Sequence, residues 1–451
     1  MLRRDSALLN ILKKLIKGKH VLILGFGREG RSTLRRLQQA GGCASITIAD
    51  QAGASPENPS VRVLSGPAYM DTLDHYDLVF KSPGVVLPKE PSEYVCRFSS
   101  QMEVFFTAYR ERIIGITGTK GKSTVTTLLY HILKENGRDV VLAGNIGIPA
   151  FDILEDIGGE TLIICELSCH QLEYIHVSPH TAVLLNIHEE HLDHYGTMEK
   201  YIRSKQQIYL HQKPQDLLFC GLPVLPRKGT CSSHIYTVSD HYSTADVVLS
   251  GTRIRFERGD YRIPADRIRL LGHHNHMDIA FDYAVCHILG LSDEEFDRAL
   301  CTYEPLPHRL SFIGEREGVR YYDDSISTIC ETTIQALKSI PSVGTVLIGG
   351  MDRGIEYGEL IRFLSGDGVS HIILMADTGK RIFDEIHQSY PDFRAPERLI
   401  LVDTLEEAVQ RAEEITAPGT ACVLSPAAAS YGIFKNFEER GDVFTKLVLT
   451  R

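Results

Sequence analysis

The sequence predicts an α/β protein built in three blocks, and three observations carry that prediction. The chain has 451 residues, about three times the ~150 that one domain usually occupies. Short apolar runs alternate with longer helical patterns from one end to the other, as in strand–helix–strand units of parallel sheets. Glycine-rich loops stand between a strand and a helix in two different blocks. Composition agrees, since 43% hydrophobic and 24% charged residues are globular averages that exclude disordered, collagen-like and coiled-coil classes.

The first twenty residues place Leu8, Leu9, Leu12, Leu15 and Ile16 at helical spacing, interrupted by Lys13, Lys14 and Lys17. A secretory core or membrane span needs an unbroken apolar run, so an amphipathic helix packed on the first block is expected. That block, residues 1–109, carries the strands HVLILGFG (20–27), SITIAD (45–50) and DLVFKSPG (77–84). The second, 110–308, opens on RIIGITGTKGKST (112–124), continues through TLIICELSC (161–169) and TAVLLNI (181–187), and ends near PLPHRL (305–310). The third, 309–451, has strands at VRYYDDS (319–325), TVLIGG (345–350), HIILMAD (371–377), RLILVD (398–403) and ACVLSP (421–426).

Charge and cysteine content narrow the partners. With 48 basic and 58 acidic residues the net charge is −10, so nothing draws the whole chain to nucleic acid or anionic lipid, and small anions need local positive sites. Ten cysteines occur without a CxxC pair, which fits reduced thiols in a cytoplasmic protein better than a disulfide framework or zinc cluster.

The first block reads Gly25-Phe-Gly27-Arg-Glu-Gly30 between a strand and a helical pattern, with Asp50 twenty residues past the last glycine. These are the parts of a dinucleotide fingerprint: glycines for the tight turn and for close approach of a pyrophosphate to a helix N-terminus. Alone it suggests NAD and an oxidoreductase. The second loop, Gly118-Thr119-Lys120-Gly121-Lys122-Ser123-Thr124, again joins strand to helix. It departs from the strict eight-residue phosphate loop because Ile116 stands five before Gly121. The GK-S-T core remains: backbone N–H groups cradle phosphates, Lys122 reaches the β/γ oxygens and Ser123 offers a hydroxyl to Mg²⁺. A dehydrogenase has no use for that loop, so one nucleotide is expected to be hydrolysed and the other to be a handle on the substrate. Glu166 closes the apolar strand LIICE, where a carboxylate can face the loop as a Walker B acid does. The run His188-Glu-Glu-His191-Leu-Asp193-His194 invites a zinc reading, but His188 and His191 are three apart rather than four, so a single histidine assisting Mg²⁺ or phosphate is preferred.

Together TGTKGKST, Glu166 in ELSCHQLE, AGNIG (143–147), HEEHLDHY, YIRSK, HHN (273–275) and LPHRL resemble the Mur ligases, ATP-dependent amide-forming enzymes of peptidoglycan precursor synthesis. The short first block with SPG (82–84), DDS (323–325) and LSPAAASYGIFKNFEERG looks like the branch that adds glutamate to UDP-N-acetylmuramoyl-L-alanine. The resemblance implies a Rossmann-like N-terminal domain, a central P-loop ATPase-type domain and a Rossmann-like C-terminal domain. It implies that Gly27, Arg28, Glu29, Asp50, Gln51, Ser82 and Gly84 hold the UDP substrate, and that Asn145 and His191 contact substrate. Gly118 to Thr124, Asn275, Arg309 and Asp324 would bind ATP. Lys122, Glu166, His191 and Lys205 would be catalytic, with Ser123, Glu166, His191 and Lys205, the last as a carbamate, serving two Mg²⁺ ions. Thr328, Arg353, Ser430 and Phe437 would bind the incoming glutamate. A cytoplasmic monomer is expected. Two positions depart from the family. Where D-glutamate enzymes usually read DSKAT, this chain reads Asp324-Ser-Ile326-Ser-Thr328, which resembles a branch that adds L-glutamate; D-glutamate is favoured here. Asp278 stands where an amide often sits three residues after the HHN asparagine.

Overall fold

The computed structural model describes residues 7–450 except Gly147, Arg258, 391–392 and 394–397. Residues 1–6 of the N-terminal helical segment and Gly147 of AGNIG therefore lie outside the described residues. Two compact units are present: residues 1–263 with 277–300, and 264–276 with 301–451.

The first unit holds two sheets. Strands β1 (His20–Leu24), β2 (Ser45–Ala49), β3 (Arg62–Leu64), β4 (Leu78–Lys81) and β5 (Arg97–Ser99) form a parallel sheet in the order β3-β2-β1-β4-β5. Helix α1 (Ala7–Ile16) buries Leu8, Leu12 and Ile16, as the spacing predicted, and contacts α2 (Arg28–Ala40) and α3 (Gln101–Tyr109). The order reverses between β1 and β4, the crevice where open α/β sheets take ligands. There the Ser82 hydroxyl donates to the Gly25 carbonyl at 2.8 Å. Gly30 lets α2 start against that turn, because a Cβ at Gly30 would sit 2.2 Å from the Gly25 oxygen.

The second sheet runs β14-β13-β12-β11-β10-β9-β6-β8-β7. Its members are β6 (Ile113–Thr117), β7 (Val140–Gly144), β8 (Leu162–Glu166), β9 (Thr181–Leu184), β10 (Leu217–Gly221), β11 (His234–Ser239), β12 (Val247–Ser250), β13 (Arg253–Phe256) and β14 (Gly259–Arg262). The central strands are parallel and β12 to β14 form an antiparallel extension. Strand β6 is buried throughout, the environment that a continuous apolar run implies. Helices α4 (Lys122–Glu135), α5 (Cys169–Leu172), α6 (Leu192–Tyr195), α7 (Met198–Leu210), α8 (His273–Ile288) and α9 (Asp293–Thr302) complete this region; the first turn of α8 and the end of α9 belong to the second unit. Among the described residues no helix is long and apolar enough to cross a membrane.

The second unit carries β15 (Ser311–Arg316), β16 (Val319–Asp323), β17 (Val343–Gly349), β18 (His371–Met375), β19 (Leu399–Val402) and β20 (Ala421–Leu424). Their order is β15-β16-β20-β17-β18-β19, parallel except for β15. Helices α10 (Cys330–Ser339), α11 (Gly358–Leu364), α12 (Ala376–Ser389), α13 (Leu405–Ile415) and α14 (Phe437–Thr450) belong to it. The α/β class and the three sheets are those the alternating pattern predicted.

Candidate active site

The loop from Gly118 to Lys122 is shaped by the segment that follows β9. Asn186 accepts from the backbone N–H groups of Thr119 and Lys120, at 3.1 and 2.9 Å, and donates to the Lys120 carbonyl at 3.1 Å. The Thr119 hydroxyl lies 2.9 Å from the Tyr201 hydroxyl and accepts from the His188 N–H at 2.9 Å. These bonds hold the loop in its shape, and a loop held by the protein's own side chains spares a binding step part of its conformational entropy. Lys120 pairs with Glu190 at 3.0 Å. Lys122 folds back on the loop, donating to the carbonyls of Gly118 at 3.0 Å and Thr119 at 2.9 Å. Burial lowers its pKa, and the Glu166 carboxylate partly opposes that shift.

Glu166 ends β8 and is 2% exposed. One of its oxygens accepts from the Asn145 amide at 2.8 Å, and the other has no partner. A buried carboxylate oxygen left bare is unfavourable by about 1–3 kcal/mol or more, and a hard cation such as Mg²⁺ satisfies that oxygen chemically. Gly144 makes the geometry possible. Its φ is +90°, and a Cβ there would lie 2.1 Å from the Glu166 carbonyl, which also accepts the Asn145 N–H at 2.9 Å. Gly144→Ala is expected to force these two backbones apart and to lower stability by about 2 kcal/mol or more. A thermal melt unchanged from wild type would contradict this.

Lys205, on α7, is 1% exposed and donates to the Gly118 carbonyl at 2.7 Å. Lys122 and Lys205 therefore converge on one oxygen. Burial, and after it the Lys122 charge, pushes the Lys205 pKa down to about 7. His191 adopts a left-handed backbone, φ 58°, at the start of α6. Its ring meets that of His170 at 4.9 Å, and His170 meets His194 at 4.3 Å. Burial followed by these two neighbours drives the His170 pKa down to about 4, so its imidazole is neutral at physiological pH. Lys122, Asn145, Glu190, His191 and Lys205 line a cavity of about 260 Å³ together with Gly84, in the turn after β4. Ser123 and Thr124 stand half-buried in the first turn of α4.

The residues expected to hold a UDP group cluster at the C-terminal ends of β1, β2 and β4. Gly27 and Arg28 are exposed at the start of α2, and Gln51 is exposed after β2. Asp50 is engaged with backbone: its oxygens accept from Phe26 N–H at 2.7 Å and Ala52 N–H at 3.0 Å, so it also fixes the glycine turn. Glu29 accepts from the Gln171 amide at 2.6 Å; its pKa is raised by burial, with that hydrogen bond opposing.

In the second unit, Asp324 follows β16 and accepts from Leu310 N–H at 3.2 Å and the Ser425 hydroxyl at 2.8 Å. Burial pushes its pKa up to about 7. Arg309 stands beside that contact in sequence, and Asn275 donates to the Leu271 carbonyl at 2.6 Å. Arg353 donates to the Thr328 carbonyl at 2.7 Å, which brings two of the expected glutamate residues together. Ser430 is buried, and the Phe437 carbonyl accepts the Ser325 hydroxyl at 2.8 Å.

Sequence reasoning missed Asn186 and Tyr201. Tyr201 stands one helical turn before Lys205, a spacing that could have paired them, whereas Asn186 carries no local signal. The histidine-rich run forms no three-ligand metal cluster among the described residues. The group that does have its ligand atoms close together is Glu111, His180 and Asp216, where Arg110 pairs with both carboxylates.

A lysine-bearing phosphate-type loop stands at the end of a central parallel strand, with a bare buried carboxylate on the adjacent strand, an arrangement chemically suited to nucleotide phosphates and a hard metal ion. The profile of the Mur ligase middle domain matches residues 116–281. The UDP-N-acetylmuramoylalanine--D-glutamate ligase of Geobacillus kaustophilus is 33% identical, over 95% of this chain and 97% of that protein. The protein of the same name from Geobacter metallireducens is 32% identical, over 96% and 98%. The chain belongs to the Mur ligase family. Its fold is shared by the MurF ligase of Thermotoga maritima solved in complex with ADP, at TM-score 0.59 and 18% identity, covering 98% of this chain and 99% of that one.

Proposed function

We propose that this chain is the ligase that joins D-glutamate to UDP-N-acetylmuramoyl-L-alanine with conversion of ATP to ADP and phosphate, in peptidoglycan precursor synthesis. The observation that carries the reading is the cavity that Lys122, His191 and Lys205 line together with Gly84, in the turn after β4. It offers a place where a substrate anchored on the first sheet can bring its carboxylate to the γ-phosphate. The names of the relatives support the choice of substrates.

A carboxylate is a poor electrophile. Its oxygen attacks the γ-phosphorus, ADP leaves, and an acyl phosphate forms; Lys122 offsets charge on the transferring group. The glutamate amine, having lost a proton, adds to the acyl carbon, and the tetrahedral intermediate expels phosphate to leave the amide. Ser123, Glu166, His191 and Lys205 would hold two Mg²⁺ ions, which supply charge neutralisation at the phosphates. The bare Glu166 oxygen fits that role. A carbamate on Lys205 fits as well: its low pKa leaves a large fraction as free amine, the form that adds CO₂, and the product is an anion where two ammonium groups otherwise face each other. The three domains are taken as 1–109 for UDP, 110–308 for ATP and 309–451 for glutamate, in a cytoplasmic monomer whose ten cysteines form no disulfide.

The test is ADP release with UDP-N-acetylmuramoyl-L-alanine plus D-glutamate, then L-glutamate, then neither. Turnover with D-glutamate at least about tenfold above L-glutamate is expected. Preference for L-glutamate overturns the stereochemical assignment, and no amino-acid dependence overturns the ligase reading. The L-glutamate alternative has one observation in its favour: Ile326 is half-buried and apolar where family members usually carry a lysine, so it offers no charge to a substrate carboxylate.

A further inference from the structure

The ammonium of Lys81 is buried beside the reaction cavity and belongs to none of the phosphate, metal or glutamate groups above. It ends β4 and directly precedes Ser82–Gly84, and its side chain is 6% exposed. Its nitrogen lies 3.4 Å from the Pro83 carbonyl, 3.5 Å from the Ser82 carbonyl and 3.4 Å from a Glu173 carboxylate oxygen. An ammonium has three N–H donors, and three oxygens stand around this one. The same Glu173 oxygen lies 3.4 Å from the Nε2 of His194, whose ring packs on His170 at 4.3 Å. His170 lines the reaction cavity. One buried cation thus ties two carbonyls of the Ser82–Gly84 segment to a carboxylate on the stretch of chain that leaves the Glu166 strand.

Stability gives no sufficient reason for such a pair, because a buried ion pair is often no better than apolar residues of the same volume. A positional reason is available. Ser82 bonds the glycine turn after β1, and Gly84 lines the cavity of Lys122. The path of residues 82–84 therefore sets the direction in which a ligand seated on the first sheet enters that cavity. Glu29–Gln171 at 2.6 Å makes a second tie between the same two regions.

We propose that Lys81, held by Glu173, is a positioning residue for the UDP-linked substrate, fixing Ser82–Gly84 so that the substrate carboxylate reaches the Lys122 cavity. This rests on the function proposed above. The experiment is steady-state ADP release by Lys81→Met, Glu173→Gln and the double variant, varying each substrate in turn, with a thermal melt of each protein. The KM for the UDP substrate is expected to rise about tenfold or more in both single variants, while the KM for ATP and for glutamate change less than about twofold. The double variant is expected to match Lys81→Met, since the two groups act as one unit. Lys81→Arg, which keeps the charge, is expected to recover part of the loss. If Lys81→Met fails to fold, Glu173→Gln, which keeps shape and removes charge, carries the test. The proposal is overturned if a folded variant keeps the wild-type KM for the UDP substrate, or if all three KM values rise in parallel. Absence of ADP release by the wild type in the same assay overturns the ligase reading instead.

Discussion

Lys122→Ala is expected to abolish substrate-dependent ADP release, with a loss of roughly a thousandfold or more, the scale of removing a preorganised charge from a transferring group. The side chain is poised for the task. It is held on the Gly118 and Thr119 carbonyls, 3.0 and 2.9 Å away, and needs only to exchange those acceptors for phosphate oxygens. Its lowered pKa follows from burial, and an arriving polyanion reverses that penalty, so affinity for ATP and charge on Lys122 rise together. Lys122→Arg is expected to recover little, because a planar fork cannot take the place of a compact ammonium among the carbonyls of a tight loop. The measurement is ADP release in the presence of UDP-N-acetylmuramoyl-L-alanine and glutamate, with a melt to verify folding. Normal turnover in Lys122→Ala would remove the assignment of this loop to ATP.

The positions of Lys122, at the start of a helix, and Glu166, at the end of a buried strand, were legible because they are written locally. A phosphate loop needs glycines, a lysine and a hydroxyl within one turn between a strand and a helix, and a metal carboxylate needs the end of a buried strand. Both conditions are met over a few consecutive residues. The residues that shape the loop are written over distance instead. Asn186 acts on Thr119 from 67 residues away and Tyr201 from 82. Glu173 meets Lys81 across 92 residues. No periodicity or spacing encodes such meetings, which exist only once parallel strands have been placed side by side. The antiparallel extension β12 to β14 is a different case. Arg253, Ile254, Arg255 and Phe256 alternate exposed and buried, a two-sided strand signal. A reading built on continuous apolar runs passes over it. Asp50 shows a third kind of shortfall: its position after β2 was plain from the sequence, but its bond to Phe26 N–H at 2.7 Å gives the carboxylate a structural task beside any ligand contact.

Lys205→Met is expected to stabilise the protein at neutral pH while removing its activity. The folded-state pKa of about 7 lies below the ordinary value of 10.5. Above 10.5 the amine is neutral in both states and exacts no penalty. As the pH falls through the window from 10.5 to 7, the unfolded chain takes up a proton that the folded chain refuses, and stability drops. Below 7 the penalty is complete, about 5 kcal/mol from the width of the window. The lost hydrogen bond to Gly118 returns about 1 kcal/mol of it. Methionine fills similar volume without the charge. In CO₂-free buffer lacking Mg²⁺ and nucleotide, the variant is expected to melt about 5 °C above wild type at pH 7, with the difference closing as the pH approaches 10. A difference that stays constant with pH would show that the charge is not its origin, and a variant that retains turnover would show that this amine takes no part in the reaction. A group that destabilises its own fold and is held between Gly118 and Lys122 is the pattern expected where binding energy for an anionic partner has been stored in the free protein.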